Sequence, residues 1–419
     1  MNIRTINVAA INPAPYNPRK DLAIDDSAYK QIKASLDMFG CVEPLVWNES
    51  TGNLVSGHQR FKIHLAQGCT TLDVSVVSLS LEQEKALNLA MNKISGHWDE
   101  DRLAEIINEL TQIPDINIQL TGFSLPEVSE ILDNFTPIKS DVYDIQADID
   151  IKNNAITQPG DIICLGRHKV MCGDSADPES YKKLLGDTRI NLIHTDPPYN
   201  VAYNAGERPA KGRKGKWKQI EHDNLVQSDY ENWLKCVFEA ATPYMEKGAP
   251  FYIWNGFRQF APMQRILAEL GLNCVNIITW AKPTFGLSYA DYNPQTEFCL
   301  YGWKNKNGAH KWYGPTNESS LWEVGRDSID NYIHPTQKPA GLALRALRNS
   351  SIRADTVMDM FLGSGSTLIA AEMLGRSCYG IELDPRYCDA IVRRYIAFTG
   401  DTDESLDIYR KEASDARRK

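Results

Sequence analysis

The chain has 419 residues, more than an ordinary single domain holds, and this length implies about two or three domains. Its composition, with 42% hydrophobic and 24% charged residues, is that of a globular protein and excludes wholesale disorder. The formal net charge of −9 does not exclude a nucleic-acid partner, because phosphate binding needs only a local basic surface.

The N-terminus and the cysteines restrict the cellular setting. The first residues lack the apolar core of a secretory signal, and no apolar stretch is long enough to span a bilayer. The nine cysteines are scattered singly, without a C-x-x-C pair or a cluster with histidine. We therefore expect a cytoplasmic protein with no membrane partner, no disulfide framework and no metal site.

Residues 1–135 alternate short apolar runs with helical patterns. The runs at 45–47 and 73–77 are strand-like, and residues 102–110 have the spacing of an amphipathic helix. An acidic, weakly periodic stretch follows and ends at a Pro-Gly pair. These shifts predict a first domain over 1–135 and a linker over 136–156.

From Gly160 onward the pattern changes to alternating strands and helices, beginning with a predicted hairpin. The predicted strands are 161–165, 168–172, 190–194, 251–254, 275–280, 298–301, 357–360 and 379–381. The predicted helices are 230–241, 263–270, 342–347 and 367–374. This alternation predicts an α/β domain with a mostly parallel sheet covered on both faces, in which ligands bind beyond the carboxyl ends of strands. Residues 401–419 are polar, and we predict a frayed helix or tail.

The run Asp196-Pro197-Pro198-Tyr199 follows the predicted buried strand 190–194. Both prolines fix φ at about −65° and lack an N–H, so the segment is stiff and offers acceptors. An amino group with two hydrogens suits the Asp196 carboxylate and the carbonyls, and the Tyr199 ring offers a face for stacking on a base. A Pro-Pro turn is also common in rigid loops, so the tetrapeptide alone leaves both interpretations open.

A glycine turn joins the predicted strand 357–360 to the predicted helix 367–374. In the run from Asp359 to Thr367, Gly363 and Gly365 permit a tight turn and close approach of the backbone to a ligand. About 20 residues later an acid, Glu382, ends the next predicted strand, where a carboxylate can accept both ribose hydroxyls. The third glycine of a dinucleotide-binding turn is missing, so the pattern favours a cofactor with a single nucleoside.

These motifs together identify a family. Asp-Pro-Pro-Tyr, then His334-Pro335-Thr336-Gln337-Lys338-Pro339, then Phe-x-Gly-x-Gly resembles the DNA amino-methyltransferases in their β-type motif order. The resemblance covers about residues 157–400 and implies a Rossmann-like methyltransferase domain there, preceded by a smaller α+β domain. It also implies that the chain is an enzyme with S-adenosylmethionine as its cofactor.

The resemblance assigns residues to that cofactor. The residues implied at its methionine and sugar are Asp359, Phe361, Gly363 and Gly365, with Glu382 on the ribose. The amino-acid end would be held by Thr336 and Lys338. Asp174, after the predicted hairpin, would face the adenine, and an ordinary Gly-Asp turn is the alternative for this residue.

For the reaction we hypothesise that the Asp196 carboxylate and the Pro197 carbonyl accept the two hydrogens of an exocyclic amine, which aims its lone pair at the methyl group. The base would be flipped out of the duplex and stacked on Tyr199. Methylation at cytosine carbon 5 needs a cysteine that follows a proline, and none of the nine cysteines does. In the family, aspartate in place of serine at the first motif position is typical of adenine enzymes. We therefore predict a site-specific adenine-N6 methyltransferase, with cytosine N4 as the alternative.

A basic segment lies just beyond the predicted catalytic turn. Its cations are Arg208, Lys211, Arg213, Lys214, Lys216 and Lys218, with Trp217 among them. Its position predicts contacts with DNA phosphates, and a solvated charged loop is the alternative. The aromatic and polar residues 284–333 correspond to the target-recognition region of the family, although their aromatic side chains could equally form the core of a subdomain.

The N-terminal part carries a second resemblance. Asn17-Pro18-Arg19-Lys20, then Pro44-Leu45-Val46, then Gly57-His58-Gln59-Arg60 resemble ParB-like domains in order and spacing over about residues 3–100. The resemblance implies that the turn ending in Arg60 approaches phosphate groups. His58-Gln59 replaces the acid-and-base pair of the nucleotide-hydrolysing members, so hydrolysis is not expected. We predict an accessory domain for DNA contact or assembly, with a structural appendage as the alternative.

Two other functions remain open at this stage. Enzymes that methylate glutamine side chains or RNA amines also use a Pro-Pro-Tyr turn, but their cofactor glycines usually precede it. A ParB-like DNA-binding protein with an inactive methyltransferase domain is the alternative from another class, and the intact motif residues argue against it. Double-stranded DNA is the expected partner, as in restriction-modification. A homodimer, a partner nuclease and the recognition sequence stay undetermined.

Overall fold

The computed structural model describes residues 2–93, 98–137, 139, 141, 143, 145, 148–149, 155–201, 223–286, 291–305, 309–324 and 338–410. Two units follow one another in the chain, Met1–Pro137 and Ile138–Lys419, and each is described by itself. No helix in the described ranges combines the length and the apolar character needed to cross a membrane.

The N-terminal unit contains a five-stranded mixed sheet. Its strands are β1 (Ile3–Asn7), β2 (Asn12–Pro13), β3 (Leu45–Asn48), β4 (Asn53–Ser56) and β5 (Thr71–Val77), in the order β1-β5-β3-β4-β2. Its helices are α1 (Ser27–Phe39), α2 (His58–Ala66), α3 (Leu81–Asn92), α4 (Glu100–Thr111) and α5 (Leu125–Phe135). One apolar cluster lies under the sheet and α2, and a second joins α3, α4 and α5.

Local sequence explains where these last helices begin. Ser80 and Gln83 form a reciprocal capping box at the start of α3, and Ser124 and Glu127 form another at the start of α5. Each box satisfies backbone N–H groups that have no partner within the helix. The apolar side chains of α4 then recur at helical spacing and face the cluster, as its sequence pattern predicts.

The C-terminal unit is built on a nine-stranded sheet. The strands are β6 (Ile162–Leu165), β7 (His168–Cys172), β8 (Leu192–Thr195), β9 (Pro250–Asn255), β10 (Leu272–Ala281), β11 (Thr296–Lys304), β12 (Leu321–Trp322), β13 (Thr356–Asp359) and β14 (Ser377–Glu382). Their order is β12-β10-β11-β9-β8-β13-β14-β7-β6. The five strands from β9 to β7 are mutually parallel, and antiparallel pairs join β6 to β7 and β11 to both β9 and β10.

Helices cover both faces of this sheet. They are α6 (Pro178–Leu185), α7 (Gln227–Ala241), α8 (Phe260–Glu269), α9 (Ala340–Ser350), α10 (Ser366–Met373) and α11 (Pro385–Thr399). The first three pack on one face and the last three on the other, so β8, β9 and β13 are buried along their whole length. The predicted α/β fold with a covered, mostly parallel sheet is confirmed.

Two boundaries differ from the prediction. The unit boundary follows Pro137, and the described residues of the predicted linker 136–156 pack on α11: Asp148 pairs with Arg393 at 2.5 Å, and Ile145 and Ile149 are buried against the helix. The predicted polar tail likewise contributes Leu406 to the core. In both segments the apolar residues are isolated and lie near charged residues. They therefore lack the hydrophobic periodicity from which burial is predicted.

Candidate active site

The ends of four neighbouring parallel strands carry most of the predicted site residues. Asp196 follows β8, Asp359 ends β13, Glu382 ends β14, and Asp174 comes two residues after β7. These strands lie side by side in the order β8-β13-β14-β7, so their carboxyl ends meet at one edge of the sheet. The structure therefore brings together residues that are spread over more than half of the C-terminal unit.

Hydrogen bonds join neighbouring strand ends directly. The Thr195 hydroxyl, next to the catalytic turn, donates to the Asp359 carboxylate over 2.8 Å. The N–H of Gly363 donates to Glu382 over 2.8 Å, and the N–H of Gly173 donates to the Glu382 carbonyl over 2.9 Å. The predicted catalytic and cofactor segments therefore form one hydrogen-bonded array.

The catalytic turn is held by a phenol and an ammonium. The Tyr199 hydroxyl donates to one oxygen of Asp196 over 2.7 Å, and the ammonium of Lys338 donates to the other. The same ammonium lies 2.9 Å from the Tyr199 oxygen. Because burial raises the pKa of Tyr199 well above its ordinary value, and Asp196 adds to this shift, the phenol keeps its proton and acts as a donor.

Asp196 stays accessible despite these contacts. Its side chain is 37% exposed, whereas that of Lys338 is 12% exposed. An ionised carboxylate has about four lone-pair sites, two on each oxygen. The turn therefore presents an oriented carboxylate that can still accept hydrogens from a further amino group.

Two residues that the sequence pattern did not single out shape this turn. Tyr230 of α7 is fully buried, and its hydroxyl donates to the Pro198 carbonyl over 2.5 Å. Gly256, just after β9, lies under Tyr199, and a Cβ there would meet the Tyr199 side chain at 3.2 Å. Neither residue belongs to a recognisable motif, because each acts through a contact distant in sequence.

The predicted glycine turn connects β13 to α10 as expected. Gly363 and Gly365 adopt φ of 50° and 78°, the left-handed region that favours glycine. A Cβ on Gly365 would also press on Ile391 of α11 at 3.2 Å. The Phe361 ring packs against Trp233 of α7, with ring centroids 5.5 Å apart, which fixes the start of the turn.

Of the two carboxylates beside this turn, Asp359 is buried and Glu382 is half-buried, and neither has a counter-ion among the described residues. Glu382 accepts from the N–H groups of Gly363 and Asp384, and burial raises its pKa to about 7. Asp359 accepts from Thr195 and from the N–H of Phe361, and burial raises its pKa to about 6. An ionised carboxylate has about four lone-pair sites, so Glu382 can still accept from a ligand with hydroxyl donors.

A buried histidine links the two halves of the site. The Trp254 indole N–H donates to Nε2 of His194 over 3.2 Å, so the proton of this imidazole is on Nδ1, 3.0 Å from the Thr367 hydroxyl. Burial lowers the pKa of His194 to about 3, and the ring is neutral. Thr367 in turn hydrogen-bonds to Asp359. This chain ties β9 and β8 to the start of α10.

Lys338, which the resemblance assigns to the amino-acid end of the cofactor, lies beside the turn of Asp196. Its ammonium contacts Asp196 and Tyr199 and lies 3.3 Å from Glu297. The contacts with Asp196 and Tyr199 are hydrogen bonds, and the contact with Glu297 is an ion pair. In this arrangement Lys338 supports the catalytic turn.

Other predicted site residues are distributed as follows. Asp174 is exposed, and its carboxylate accepts the N–H of Ala176 over 2.9 Å, as in an ordinary turn. Thr336 and His334 lie outside the described residues, as do all the basic residues predicted to contact DNA: Arg208, Lys211, Arg213, Lys214, Lys216 and Lys218. The flanking residues are described: the N–H of Val201 donates to Asp223 over 3.1 Å.

The region 284–333 is not a separate subdomain in its described part. Its longest element, β11, lies between β9 and β10 within the sheet, and Trp303, Trp312 and Trp322 pack on the core. Tyr292, by contrast, is 90% exposed. Trp303, Trp312 and Trp322 therefore have a structural role in the core of the C-terminal unit.

In the N-terminal unit, Arg60 lies in the first turn of α2. Its guanidinium donates to the Glu43 carbonyl and lies 3.4 Å from the Glu43 carboxylate. His58 beside it is neutral, because burial lowers its pKa to about 4. The arginine is thus restrained by one exposed acid.

Comparison with known proteins agrees with this geometry. Residues 190–393 match the DNA methylase family of N6 and N4 amino-methyltransferases, and residues 1–93 match the ParB N-terminal domain. The chain contains a DNA amino-methyltransferase domain preceded by a ParB-like domain. The methyltransferase domain uses S-adenosylmethionine as its cofactor.

Relatives of the methyltransferase domain include restriction-modification enzymes. Type II methyltransferase M2.MboI of Moraxella bovis is 26% identical over 232 residues, which cover 51% of this chain and 83% of that protein. Type II methyltransferase M2.DpnII of Streptococcus pneumoniae is 26% identical over 216 residues, which cover 47% and 79%. Among solved structures, the cytosine-N4-specific PvuII DNA methyltransferase is 19% identical with a TM-score of 0.46, and the match covers 62% of this chain and 96% of that one.

Proposed function

We propose that this protein is a site-specific DNA methyltransferase that acts on the N6 amino group of adenine. The observation that carries the proposal is the Asp196 carboxylate, which is fixed by Tyr199 and Lys338 and remains partly exposed at the end of β8. A hydrogen-bond acceptor beside the predicted cofactor-binding turn suits a substrate with N–H donors. An exocyclic amine of a base is such a substrate.

In this mechanism the Asp196 carboxylate and the Pro197 carbonyl accept the two amino hydrogens. These hydrogen bonds draw the nitrogen towards a tetrahedral geometry and orient its lone pair for in-line attack. Tyr230 holds the neighbouring Pro198 carbonyl, which keeps the turn rigid. Tyr199 stacks on the flipped base with the ring face opposite Gly256.

The cofactor residues act at the adjacent edge. Gly363 and Gly365 would let the backbone approach S-adenosylmethionine, and the Glu382 carboxylate would accept hydrogen bonds from the ribose hydroxyls. Asp359 supports the turn from below through Thr195 and Phe361. S-adenosylmethionine supplies the electrophilic methyl group when bound.

The preference for adenine rests on aspartate at the first position of the catalytic motif. Cytosine-N4 methylation is the alternative, since both bases present an amino group beside a ring nitrogen. The names of the type II relatives do not state the base they modify. A ParB-like DNA-binding protein with an inactive methyltransferase domain is less well supported, because the residues of both motifs are intact and connected.

For the DNA, we propose that the basic segment after the catalytic turn contacts phosphates. Its flanks are tied together beside Asn200, whose side chain hydrogen-bonds in both directions with the backbone of Leu225. Both flanks of the segment therefore lie beside the turn at which the flipped base is proposed to bind. Replacing its six cations by glutamine should weaken binding and flatten its dependence on salt concentration. An unchanged slope would show that the segment makes no phosphate contacts.

The ParB-like domain is proposed to be an accessory element for DNA contact or assembly, with Arg60 as a candidate phosphate donor. Among the described residues its guanidinium contacts Glu43, which leaves N–H donors for a ligand. Deleting residues 1–135 and measuring methyl transfer on long and short DNA tests this role. We expect the deletion to lower the rate of methyl transfer on long DNA. Identical rates on long and short DNA would favour a structural appendage.

The decisive experiment measures transfer of a labelled methyl group to unmodified DNA, followed by digestion to nucleosides. N6-methyldeoxyadenosine is the expected product. If the product is N4-methyldeoxycytidine, the target base is cytosine and not adenine. The absence of any labelled nucleoside would overturn the proposed function. RNA and protein substrates in parallel test the other acceptors.

A further inference from the structure

A line of alternating charges leads away from the catalytic turn. The Lys338 ammonium pairs with Asp196 on one side and with Glu297 of β11 on the other. The second Glu297 oxygen pairs with Lys282 at 2.5 Å. Side-chain exposure is only 12% for Lys338, 23% for Glu297 and 19% for Lys282, so solvent screens these pairs weakly.

The ammonium is held by two hydrogen bonds and one ion pair. It donates to Asp196 and Tyr199 on the catalytic turn, pairs with Glu297 on the sheet at 3.3 Å, and lies 5.3 Å from the centroids of the Tyr199 and Trp254 rings. These contacts from the turn and from β11 define its position. Without Glu297, the ion pair on the β11 side is lost, and Asp196 is the remaining anion of the network.

Few other groups facing Lys338 carry charge near neutral pH. Burial leaves His194 neutral, with a pKa of about 3, and raises the pKa values of the Cys299 thiol and the Tyr199 phenol well above their ordinary values. Burial also opposes the Lys338 charge, but Asp196 and Glu297 outweigh it and raise the pKa of the ammonium. Among the described residues, the state of Lys338 therefore depends on these two carboxylates.

We propose that Glu297 is a positioning residue for methyl transfer. By attracting the Lys338 ammonium towards β11, it keeps the ammonium on a single oxygen of Asp196 and leaves the remaining lone pairs of that carboxylate for the target amine. Lys282 pairs with the other oxygen of Glu297 and so reduces the electrostatic attraction between Glu297 and Lys338. This inference rests on the proposed transfer to an amino nitrogen.

A titration without substrate tests the network first. In protein labelled with ¹³C-lysine, the Lys338 signal is assigned by its loss in Lys338→Arg, and its ionisation is followed over the alkaline range. Glu297→Gln should increase the acid dissociation constant of Lys338 by about tenfold or more, because one of two stabilising anions is gone. Glu297→Asp, which keeps the charge, should restore most of the difference. An unchanged titration in Glu297→Gln overturns the proposal.

Kinetics then test the effect on transfer. We expect Glu297→Gln to lower kcat by about 10- to 30-fold while the KM values for DNA and cofactor change by less than about threefold. The alkaline limb of the kcat profile should move to lower pH together with the Lys338 titration. The matched control is Glu269→Gln, which removes an acid paired with Lys235 at 2.7 Å on the surface and should change neither quantity. A kcat within about twofold of the wild type overturns the positioning role.

Two further outcomes of these experiments also test the proposal. If Glu297→Gln fails to fold, Lys282→Met takes its place, and a fall in kcat of several-fold with normal cofactor affinity supports the proposal, whereas an unchanged kcat overturns it. If the wild-type protein transfers no methyl group to DNA, the proposed function is overturned, and the Lys338 titration still decides whether the network exists.

Discussion

The two ends of the site hold their carboxylates in opposite ways. At the catalytic turn, Asp196 is paired with the buried ammonium of Lys338, which Glu297 also contacts. At the glycine turn, Asp359 and Glu382 accept hydrogen bonds from neutral groups, and no cation in the described part of the chain pairs with either. Burial accordingly raises their pKa values to about 6 and about 7.

This contrast indicates how each end is completed. A paired carboxylate stays charged and oriented without a ligand, so the catalytic turn is preorganised by the protein itself. An unpaired buried carboxylate is stabilised when a ligand brings donors or positive charge. The cofactor end therefore depends on its ligand, whereas the catalytic end depends on its own side chains.

The largest loss of activity is expected from a substitution in the catalytic turn. Asp196→Ala should lower methyl transfer by about 10³-fold, because it removes the main acceptor for the amino hydrogens. Cofactor affinity, measured by calorimetry, should stay within about threefold of the wild type, since the cofactor edge is intact. The control is Asp187→Ala at an exposed position away from the site. Retained turnover in Asp196→Ala would contradict the assignment.

Removing the cation at the same end separates two roles for Lys338. Lys338→Met should lower kcat by about 10²-fold, because Asp196 and Tyr199 lose their common donor. If the residue supports the turn only, the dissociation constant of S-adenosylmethionine changes by less than about threefold. A loss of cofactor affinity with normal kcat would instead favour the role implied by the family resemblance.

At the cofactor end, binding should depend on pH. The carboxylate form of Glu382 is the proposed acceptor for the ribose, and its pKa is about 7, so cofactor affinity should rise about tenfold between pH 6 and pH 8. Glu382→Gln should bind more weakly and lose this dependence. Calorimetry at several pH values measures both, and a flat wild-type profile would show that Glu382 is already ionised at pH 6.

The raised pKa of Glu382 also makes the stability of the folded protein depend on pH, in the direction opposite to that of cofactor affinity. The folded pKa of about 7 lies above the ordinary value of 4.5, so the stability that the protonated Glu382 contributes is present at low pH and lost as pH rises through 7. Bound cofactor offsets this loss. The increase in Tm caused by S-adenosylmethionine should therefore be larger at pH 8 than at pH 6, and the reverse order would contradict the argument.

The smallest effect concerns the shape of the catalytic end. In Gly256→Ala, the new methyl group meets Tyr199 at 3.2 Å and displaces the ring, so kcat/KM should fall by about fivefold. Gly286→Ala is the matched control, because a Cβ there finds its nearest atom at 3.8 Å. Equal activities of the two variants would show that the Tyr199 ring tolerates the shift.

The elements of the methyltransferase domain and the order of its motifs were predictable from the amino-acid pattern. Buried strands such as β8 and β13 are continuous apolar runs, and the turns that follow them contain proline or glycine at positions that local geometry requires. The sequence therefore predicted Asp196, Gly363 and Glu382 at strand ends. These signals are local, so no tertiary information was needed to find them.

The side chains that complete the site could not be predicted in this way, because they come together only when the chain folds. Lys338 contacts Asp196 across 142 positions of the chain, and Tyr230, Gly256 and Glu297 reach the catalytic turn from separate elements. The described residues of the predicted linker likewise prove to belong to the core around α11. Such contacts follow from the order of strands in the sheet, which places β13 and β14 between β7 and β8. Because hydrophobic periodicity and turn residues report only on neighbours in the chain, they carry no signal for these pairings.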